Sequence, residues 1–322
     1  MERLIRRRRK LEAAGQQSFF AAVPMAPGVA AGPPPLPEPV APEPPPLPFR
    51  LTPGPRLPGP PLRIGILGSG SGGNAVVVES GDRRILIDAG FSCRELVKRM
   101  ALLGVDPKSI SALILTHEHQ DHCRGADGFA RRFKVPVLAT AGTREGAGLR
   151  EDRFRSAVLI RSGETREVSG FVVEPFMIPH DAAEPVGFVV EDPFGRRLGL
   201  VADVGCRTSL AWGRLRDLDV LVLETNHDLD MLRNGPYPWS LKQRVAGRHG
   251  HLSNREAAEG LPELMGSRLS WVALYHLSRT NNLPALAAAA IGEALDREGC
   301  PARLAVTEQD HPTPWLEVSI DR

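Results

Sequence analysis

Cysteine is scarce in this chain of 322 residues. Cys93, Cys123, Cys206 and Cys300 stand far apart, and none belongs to a C-x-x-C pair. That spacing suggests no disulfide framework and predicts a reducing compartment, the cytoplasm. Charge of either sign is not in excess, since the formal net charge is +2 with histidine neutral. A bulk attraction to polyanions is therefore absent, and any nucleic-acid site must be a local basic groove. No stretch approaches the ~18 to 20 apolar residues that a membrane helix requires. The basic opening MERLIRRRRK is followed by LEAAGQQSFFAAVP, which lacks an unbroken apolar core, so no secretory leader is expected.

Proline is abundant, and more than half of the 30 prolines lie between Pro24 and Pro61. Runs such as GPPPLPEPV cannot supply the apolar density of a core, and predict a disordered or polyproline II-like tail over 1–61. Docking of SH3-like protein partners is the functional alternative for this tail. The rest of the composition is that of an ordinary globular domain, expected over 62–322.

LRIGIL, NAVVVES and RRILIDAG read as three successive strands, the last ending at Asp88. A helical pattern runs from Arg94 to Leu103 and stops at Gly104. SALILT is a buried strand running into HEHQDH, Ala126 to Phe133 is helical, and KVPVLAT is a strand. FVVEPFMI, VGFVVED, RLGLVAD, DVLVLET and WVALYH read as later strands. Ser253 and Glu256 have capping-box spacing before EAAEGLPELM. Pro284 opens a helix that ends near Gly299. Several strands end directly at a polar or ionisable residue: Asp88, Thr116, His180, Asp203, Glu224 and His276. Reactive groups from remote parts of the chain are thus delivered by strand ends, as in sites built on rigid sheets. Strands and helices alternate without strict βαβ regularity, which favours a layered α/β sandwich over a doubly wound sheet.

The segment THEHQDH places four ligand-type side chains within six residues, immediately after a buried strand. Imidazole and carboxylate suit zinc and similar first-row metals. On a tight loop His117 and His119 can serve one metal while Asp121 and His122 serve a neighbour. H-x-H-x-D-H after a strand resembles the metallo-β-lactamase-fold hydrolases, and further motifs match in order: LIDAG, IPHDAAEPVGF, LVADVG and LYHLSRTNN. The resemblance implies a four-layer αββα sandwich with up to two metals at one edge. It implies that His117, His119 and His180 hold the first metal. Asp121, His122 and His276 hold the second, Asp203 bridges, and Asp88 supports the ligand loop from behind. Zinc, manganese and iron all fit this donor set. Paired ions of this kind lower the pKa of bound water toward ~7 and polarise the scissile ester. Direct hydrolysis, with Asp121 counted in the catalytic set and no covalent enzyme intermediate, is the expected chemistry.

The same fold serves β-lactams, thioesters and phosphodiesters, so local features must choose among them. No cysteine replaces a ligand, which argues against a β-lactamase. Only one clear helix follows His276, which argues against a glyoxalase-type thioesterase. The segments GILGSGSGGNAVVVE, LETNHDLDMLRNGPYPWSLKQRV, GRHGHLSN and HLSRTNN look like the bacterial YycJ/WalJ-type family, from about Leu62 onward. That likeness implies a nuclease acting on DNA, 5′-to-3′ on duplex ends, linked to repair. The insert between Asp203 and His276 is too short for a β-CASP domain. His251, oriented by Glu224, is expected to protonate the leaving oxygen, as a similar pair does in ribonuclease Z. Asn226 to Gly250 is expected to face substrate, with Asn226, Lys242 and Arg244 as polar contacts and Tyr237 and Trp239 as stacking surfaces. GSGSGGN carries G-x-G-x-x-G spacing, but the strand after it excludes a dinucleotide fold. It reads as a hairpin in which Ser69, Ser71 and Asn74 meet a phosphate. A small-molecule cyclic phosphodiesterase and a non-catalytic nucleic-acid scaffold are the competing readings.

Overall fold

The computed structural model describes residues 54–149 and 157–319. The Pro-rich run from Pro24, with its docking alternative, lies almost wholly outside the described residues. Residues 54–61, placed in the tail by composition, run instead against the domain. Leu57 N–H donates to the Phe194 carbonyl at 2.9 Å, and Arg56 pairs with the buried Asp219 carboxylate. Backbone pairing and one ion pair, not apolar content, hold this stretch down.

Two seven-stranded sheets form the domain. The first holds β1 (Leu62–Gly68), β2 (Ala75–Ser80), β3 (Arg83–Ile87), β4 (Ala112–Ile114), β5 (Val137–Ala139), β6 (Ala157–Leu159) and β14 (Leu316–Val318), in the order β14-β1-β2-β3-β4-β5-β6. The second holds β7 (Arg166–Val168), β8 (Phe171–Met177), β9 (Val186–Glu191), β10 (Arg197–Val201), β11 (Val220–Glu224), β12 (Trp271–Tyr275) and β13 (Arg303–Val306), in the order β13-β12-β11-β10-β9-β8-β7. β3 to β6 run parallel, as do β10 to β13.

Both faces of each sheet are covered, which is why the strands read as near-continuous apolar runs. Ile64, Val76, Ile85 and Ile114 meet Phe188, Leu198, Leu200 and Val222 in the core between the sheets. The outer face of the first sheet packs on α1 (Cys93–Leu102) and α3 (Ala126–Phe133) through Leu96, Met100 and Phe129. The outer face of the second packs on α5 (Ser209–Arg214), α8 (Asn254–Gly260) and α9 (Pro284–Arg297) through Trp212, Ala257, Ala287 and Ile291. Helix, sheet, sheet, helix is the expected αββα sandwich.

Two local features depart from simple patterning. Pro175 sits inside β8, where a proline argues against a strand. The β7 ladder ends at the Arg166 to Val173 pair, so the missing N–H leaves no gap in a ladder. EAAEGLPELM forms a capped helix only to Gly260 and then tightens into a 3-10 turn over Leu261–Leu264. Pro262 has no N–H to continue the α ladder. Among the described residues no helix is long and apolar enough to cross a membrane.

Candidate metal centre

Six strand ends converge on one edge of the sandwich. Asp88 follows β3, His117 follows β4, His180 follows β8, Asp203 follows β10, Glu224 ends β11 and His276 follows β12. Three of these residues have left-handed backbones: Asp88 with φ 61, Asp203 with φ 53 and His276 with φ 58. Aspartate tolerates this region; histidine does so less readily. Such strain gathers where a structure over-determines a functional geometry. Here it marks the turns at which three strands release these side chains into the site. His119 caps α2 (Gln120–Cys123), which carries Asp121 and His122. The loop after β3 lies directly beneath α2, and Gly90 there leaves no room for a Cβ against the Asp121 carbonyl.

The imidazoles are held by their outward nitrogens. Asp88 Oδ2 takes His122 Nδ1 at 2.7 Å, and Asp88 Oδ1 accepts from Thr116 N–H at 2.8 Å. Thr116 gives its hydroxyl hydrogen to Asp88, so its oxygen is free to accept from His117 Nδ1 at 3.0 Å. The Gly250 carbonyl accepts from His180 Nδ1 at 3.1 Å. Each contact places the proton on Nδ1 and leaves Nε2 as a lone-pair donor facing inward. His119 is the exception, presenting Nδ1 3.2 Å from His180 Nε2.

The inward atoms form overlapping groups. His117, His119, His180 and Asp203 make one, and Asp121, His122, Asp203 and His276 make the other, each with ligand atoms within 4.8 Å of one another. Asp203 Oδ2 lies 3.2 Å from His117 Nε2, 3.1 Å from His122 Nε2 and 3.8 Å from His180 Nε2. Asp121 Oδ2 lies 3.2 Å from His276 Nε2 and 3.6 Å from His122 Nε2. Two atoms each about 2.1 Å from one ion stand roughly 3.0 to 3.5 Å apart, so this set fits a metal pair that shares Asp203. His117 Nε2 supports the same fit, being wholly buried without a hydrogen-bond partner.

Electrostatics agree with the geometry. Burial opposes charge on His122 and His276, yet the Asp203 carboxylate, with Asp88 and Asp121 beside His122, holds both well above the usual histidine range. Burial pushes His117 down and His180 down to about 4, keeping them neutral. The carboxylates therefore demand positive charge on the side where the second ion would sit, and the neutral imidazoles lie where the first would sit.

Asp203, Glu224, His251 and His276 make a third group of ligand type. Hydrogen bonding accounts for it without an ion. Glu224 Oε1 accepts from His251 Nδ1 at 2.8 Å and from His276 Nδ1 at 3.1 Å. Glu224 Oε2 accepts from Val204 N–H at 2.8 Å and Leu252 N–H at 3.1 Å. Burial would raise the Glu224 carboxyl, but His251 and His276 hold it down at about 2. The ion pair with Glu224 in turn raises His251 against the pull of burial.

A cavity of about 220 Å³ opens over the cluster, lined among others by Ser71, His119, Asp121, Asp181, Arg244 and His251. Of the expected substrate contacts, only Ser71 and Arg244 line it. Ser69 and Asn74 are buried and serve the framework. Ser69 Oγ accepts from His276 N–H at 2.7 Å, and Asn74 Oδ1 accepts from Gly70 N–H at 2.9 Å while its Nδ2 donates to the Gly70 carbonyl at 3.1 Å. Asn226 is likewise buried, donating to the His276 carbonyl at 2.9 Å. Ser69 and Asn74 correct the expectation of phosphate contacts, and Asn226 that of a polar substrate contact, because their polar atoms are already committed inside. Lys242 and Trp239 lie on the opposite face of α7 (Trp239–Val245), in a separate groove with Leu229, Leu232 and Arg233. Tyr237 is half-buried and lines neither cavity. Asp181 was not anticipated. Its carboxylate accepts from Arg244 Nε at 2.6 Å and lies 3.3 Å from His180 Nε2. Its position directly after His180 in IPHD was the available signal.

The metallo-β-lactamase superfamily model matches residues 68–239. Exodeoxyribonuclease YycJ of Bacillus anthracis is 32% identical over 246 residues, covering 74% of this chain and 90% of that protein. Exodeoxyribonuclease WalJ of Streptococcus pneumoniae serotype 2 is 30% identical over 269 residues, covering 80% and 98%. Among solved structures, the metallo-β-lactamase-fold protein YhfI of Bacillus subtilis aligns with TM-score 0.62 at 16% identity, covering 80% of this chain and all of that one. The short form of human tRNase Z aligns with TM-score 0.54 at 16% identity, covering 78% and 98%. At those identities the two structures speak to the fold alone.

Proposed function

This chain belongs to the metallo-β-lactamase superfamily and, within it, to the YycJ/WalJ exodeoxyribonuclease family, and from that membership we propose that it degrades duplex DNA from its ends, 5′ to 3′, in the cytoplasm and in the service of repair. It is a metal-dependent hydrolase whose substrate is a nucleic acid. The single observation that carries the phosphodiesterase reading is the His251–Glu224 pair beside the metal cluster, since a phosphodiester leaving oxygen needs a proton.

His117, His119 and His180 are assigned to one divalent ion, and Asp121, His122 and His276 to a second, with Asp203 between them and zinc, manganese or iron as candidates. When bound, such ions activate water at neutral pH and offset charge on the phosphoryl group. The chain's own groups do the rest. Water gives up one proton to solvent and its oxygen bonds to phosphorus, the bond to the leaving oxygen breaks, and that oxygen takes the proton from His251 Nε2, which solvent restores. Glu224 keeps Nδ1 protonated and the ring aimed. Asp181 holds Arg244 at the mouth of the cavity, where the guanidinium meets the incoming phosphate.

Trp239, at 69% exposed, offers a stacking surface beside Arg233 and Lys242, one helix away from the cavity. Base stacking is worth ~1 to 3 kcal/mol. Trp239→Ala is therefore expected to weaken binding of a single-stranded oligonucleotide by roughly 5- to 150-fold, with Trp239→Phe largely retaining it. Fluorescence anisotropy at fixed salt measures this, and equal affinity in all three proteins removes the stacking role.

End-labelled duplexes with 5′ or 3′ blocks, incubated with the full chain and Mn²⁺ or Zn²⁺, test the reading. Shortening that a 5′ block stops is expected. Intact DNA alongside brisk hydrolysis of bis-p-nitrophenyl phosphate would instead point to a small-molecule phosphodiesterase.

A further inference from the structure

Three loops meet behind the acid pair, and a buried amide pair joins backbone hydrogen bonds in tying them. The first follows Glu224 and contains Thr225 and Asn226. The second runs from His251 to Asn254 at the start of α8, and the third from His276 to Asn282. Asn254 Nδ2 donates to Asn282 Oδ1 at 2.8 Å, and Asn282 Nδ2 donates back to Asn254 Oδ1 at 2.9 Å. The same Asn282 nitrogen lies 2.8 Å from the Thr225 carbonyl and 3.1 Å from the Asn226 carbonyl. Both side chains are buried, at 4% and 3% exposed. The backbone continues the knot: Asn254 N–H donates to the His227 carbonyl at 2.8 Å, Asn226 N–H to Leu252 at 2.9 Å and Ser278 N–H to Asn226 at 2.8 Å.

We infer that Asn282, oriented by Asn254, is a positioning residue that fixes His251 and Glu224 in the geometry needed to protonate the leaving oxygen. The inference rests on the phosphodiesterase reading of the site. Its physical basis is reach. Glu224 is one residue from a clamped carbonyl and His251 is three residues from Asn254, so movement of either loop shifts the 2.8 Å contact between them. Proton transfer needs donor and acceptor within about 3 Å, so a small displacement is enough to impair it. The ring nitrogens of His122, His117 and His180 have separate supports in Asp88, Thr116 and Gly250, which the amide pair does not touch; of the ligand imidazoles with a support on Nδ1, only His276 shares its own, Glu224, with the acid pair.

The two amides are unequal, and that asymmetry makes the idea testable. Asn282 supplies the donor that clamps two carbonyls, whereas Asn254 supplies an acceptor for it and steadies its oxygen. Asn282→Asp turns the donor into an acceptor facing two carbonyl oxygens, so the clamp is lost. Asn254→Asp loses the donor to Asn282 Oδ1, which Leu283 N–H also serves at 2.9 Å, but keeps an acceptor for Asn282 Nδ2, so the clamp survives. A packing role would make the two near-isosteric changes equivalent.

The experiment compares kcat of the full-length wild type, Asn282→Asp, Asn254→Asp and His251→Ala on two substrates. One is duplex DNA, whose leaving oxygen needs a proton. The other is bis-p-nitrophenyl phosphate, whose leaving group does not. The expected result is a loss of about 10²-fold on DNA for Asn282→Asp with metal content and aryl-ester turnover retained. Asn254→Asp stays within a fewfold of wild type, and adding Asn282→Asp to His251→Ala brings little further loss. Should Asn282→Asp be insoluble, Asn254→Ala is the second variant, expected to lose DNA cleavage selectively because Asn282 then loses both its side-chain acceptor and its side-chain donor. Equal losses on both substrates, or equal effects of the two aspartates, overturn the inference. Failure of His251→Ala itself to discriminate between the substrates overturns the acid assignment instead.

Discussion

Asp203→Asn is expected to reduce phosphodiester cleavage by at least about 10³-fold while leaving the fold intact. Asparagine is chosen because position 203 has φ 53, a conformation that asparagine adopts with little strain and alanine does not. The carboxylate is the one group common to both ligand sets, and its Oδ2 approaches imidazoles from each of them. Removing its charge strips the shared anion from both ions together. It also removes the main partner that holds His122 and His276 in their raised state. Steady-state hydrolysis at saturating Mn²⁺, with a thermal melt as control, measures the effect. Near-wild-type turnover would show that the reaction does not depend on a shared ion pair.

His251→Ala is expected to slow DNA cleavage by roughly 10²-fold or more and to affect bis-p-nitrophenyl phosphate far less. His251 is partly exposed toward the cavity through its outward edge, with Nδ1 committed to Glu224, so Nε2 is the atom available to substrate. No other imidazole lining that cavity, among the described residues, lacks a place in the two ligand sets. An unimpaired rate on DNA, measured under single-turnover conditions so that product release does not intervene, would remove the acid from the mechanism.

The candidate ligand positions could be named from sequence because strands announce themselves by apolar runs bounded by polar residues: His180, Asp203 and His276 lie within three residues of a strand end, and His117 to His122 form one compact motif. The same runs favoured a layered sandwich, and the motif resemblance implied its αββα order. Substrate contacts were less readable. Ser69 and Asn74 lie in a glycine-rich loop of a kind that meets phosphates, and Asn226 opens a segment with basic and aromatic character. In three dimensions their side chains turn inward, Ser69 and Asn226 to the His276 backbone and Asn74 to the Gly70 turn. The turns at Asp88, Asp203 and His276 require left-handed backbone, which non-glycine residue types do not advertise. The helices α5, α7 and α6 (Leu229–Asn234) are too short for a periodic signal. Hence Arg244 and Trp239 were both expected to face substrate, but nothing indicated that α7 would turn Arg244 to the cavity and Trp239 to the groove behind it. Asn282 was visible in HLSRTNN, but its partner lies 28 residues earlier in sequence and meets it only in the folded chain.

Metal stoichiometry of the full chain tests the central claim most directly. Purified protein loaded with Mn²⁺ or Zn²⁺ and freed of excess by gel filtration is analysed by elemental mass spectrometry beside Asp203→Asn. Two ions per chain in the wild type and fewer in the variant are expected. A folded wild type that retains no ion, or a variant that retains as many as the wild type, would contradict an Asp203-bridged pair as the source of the activity.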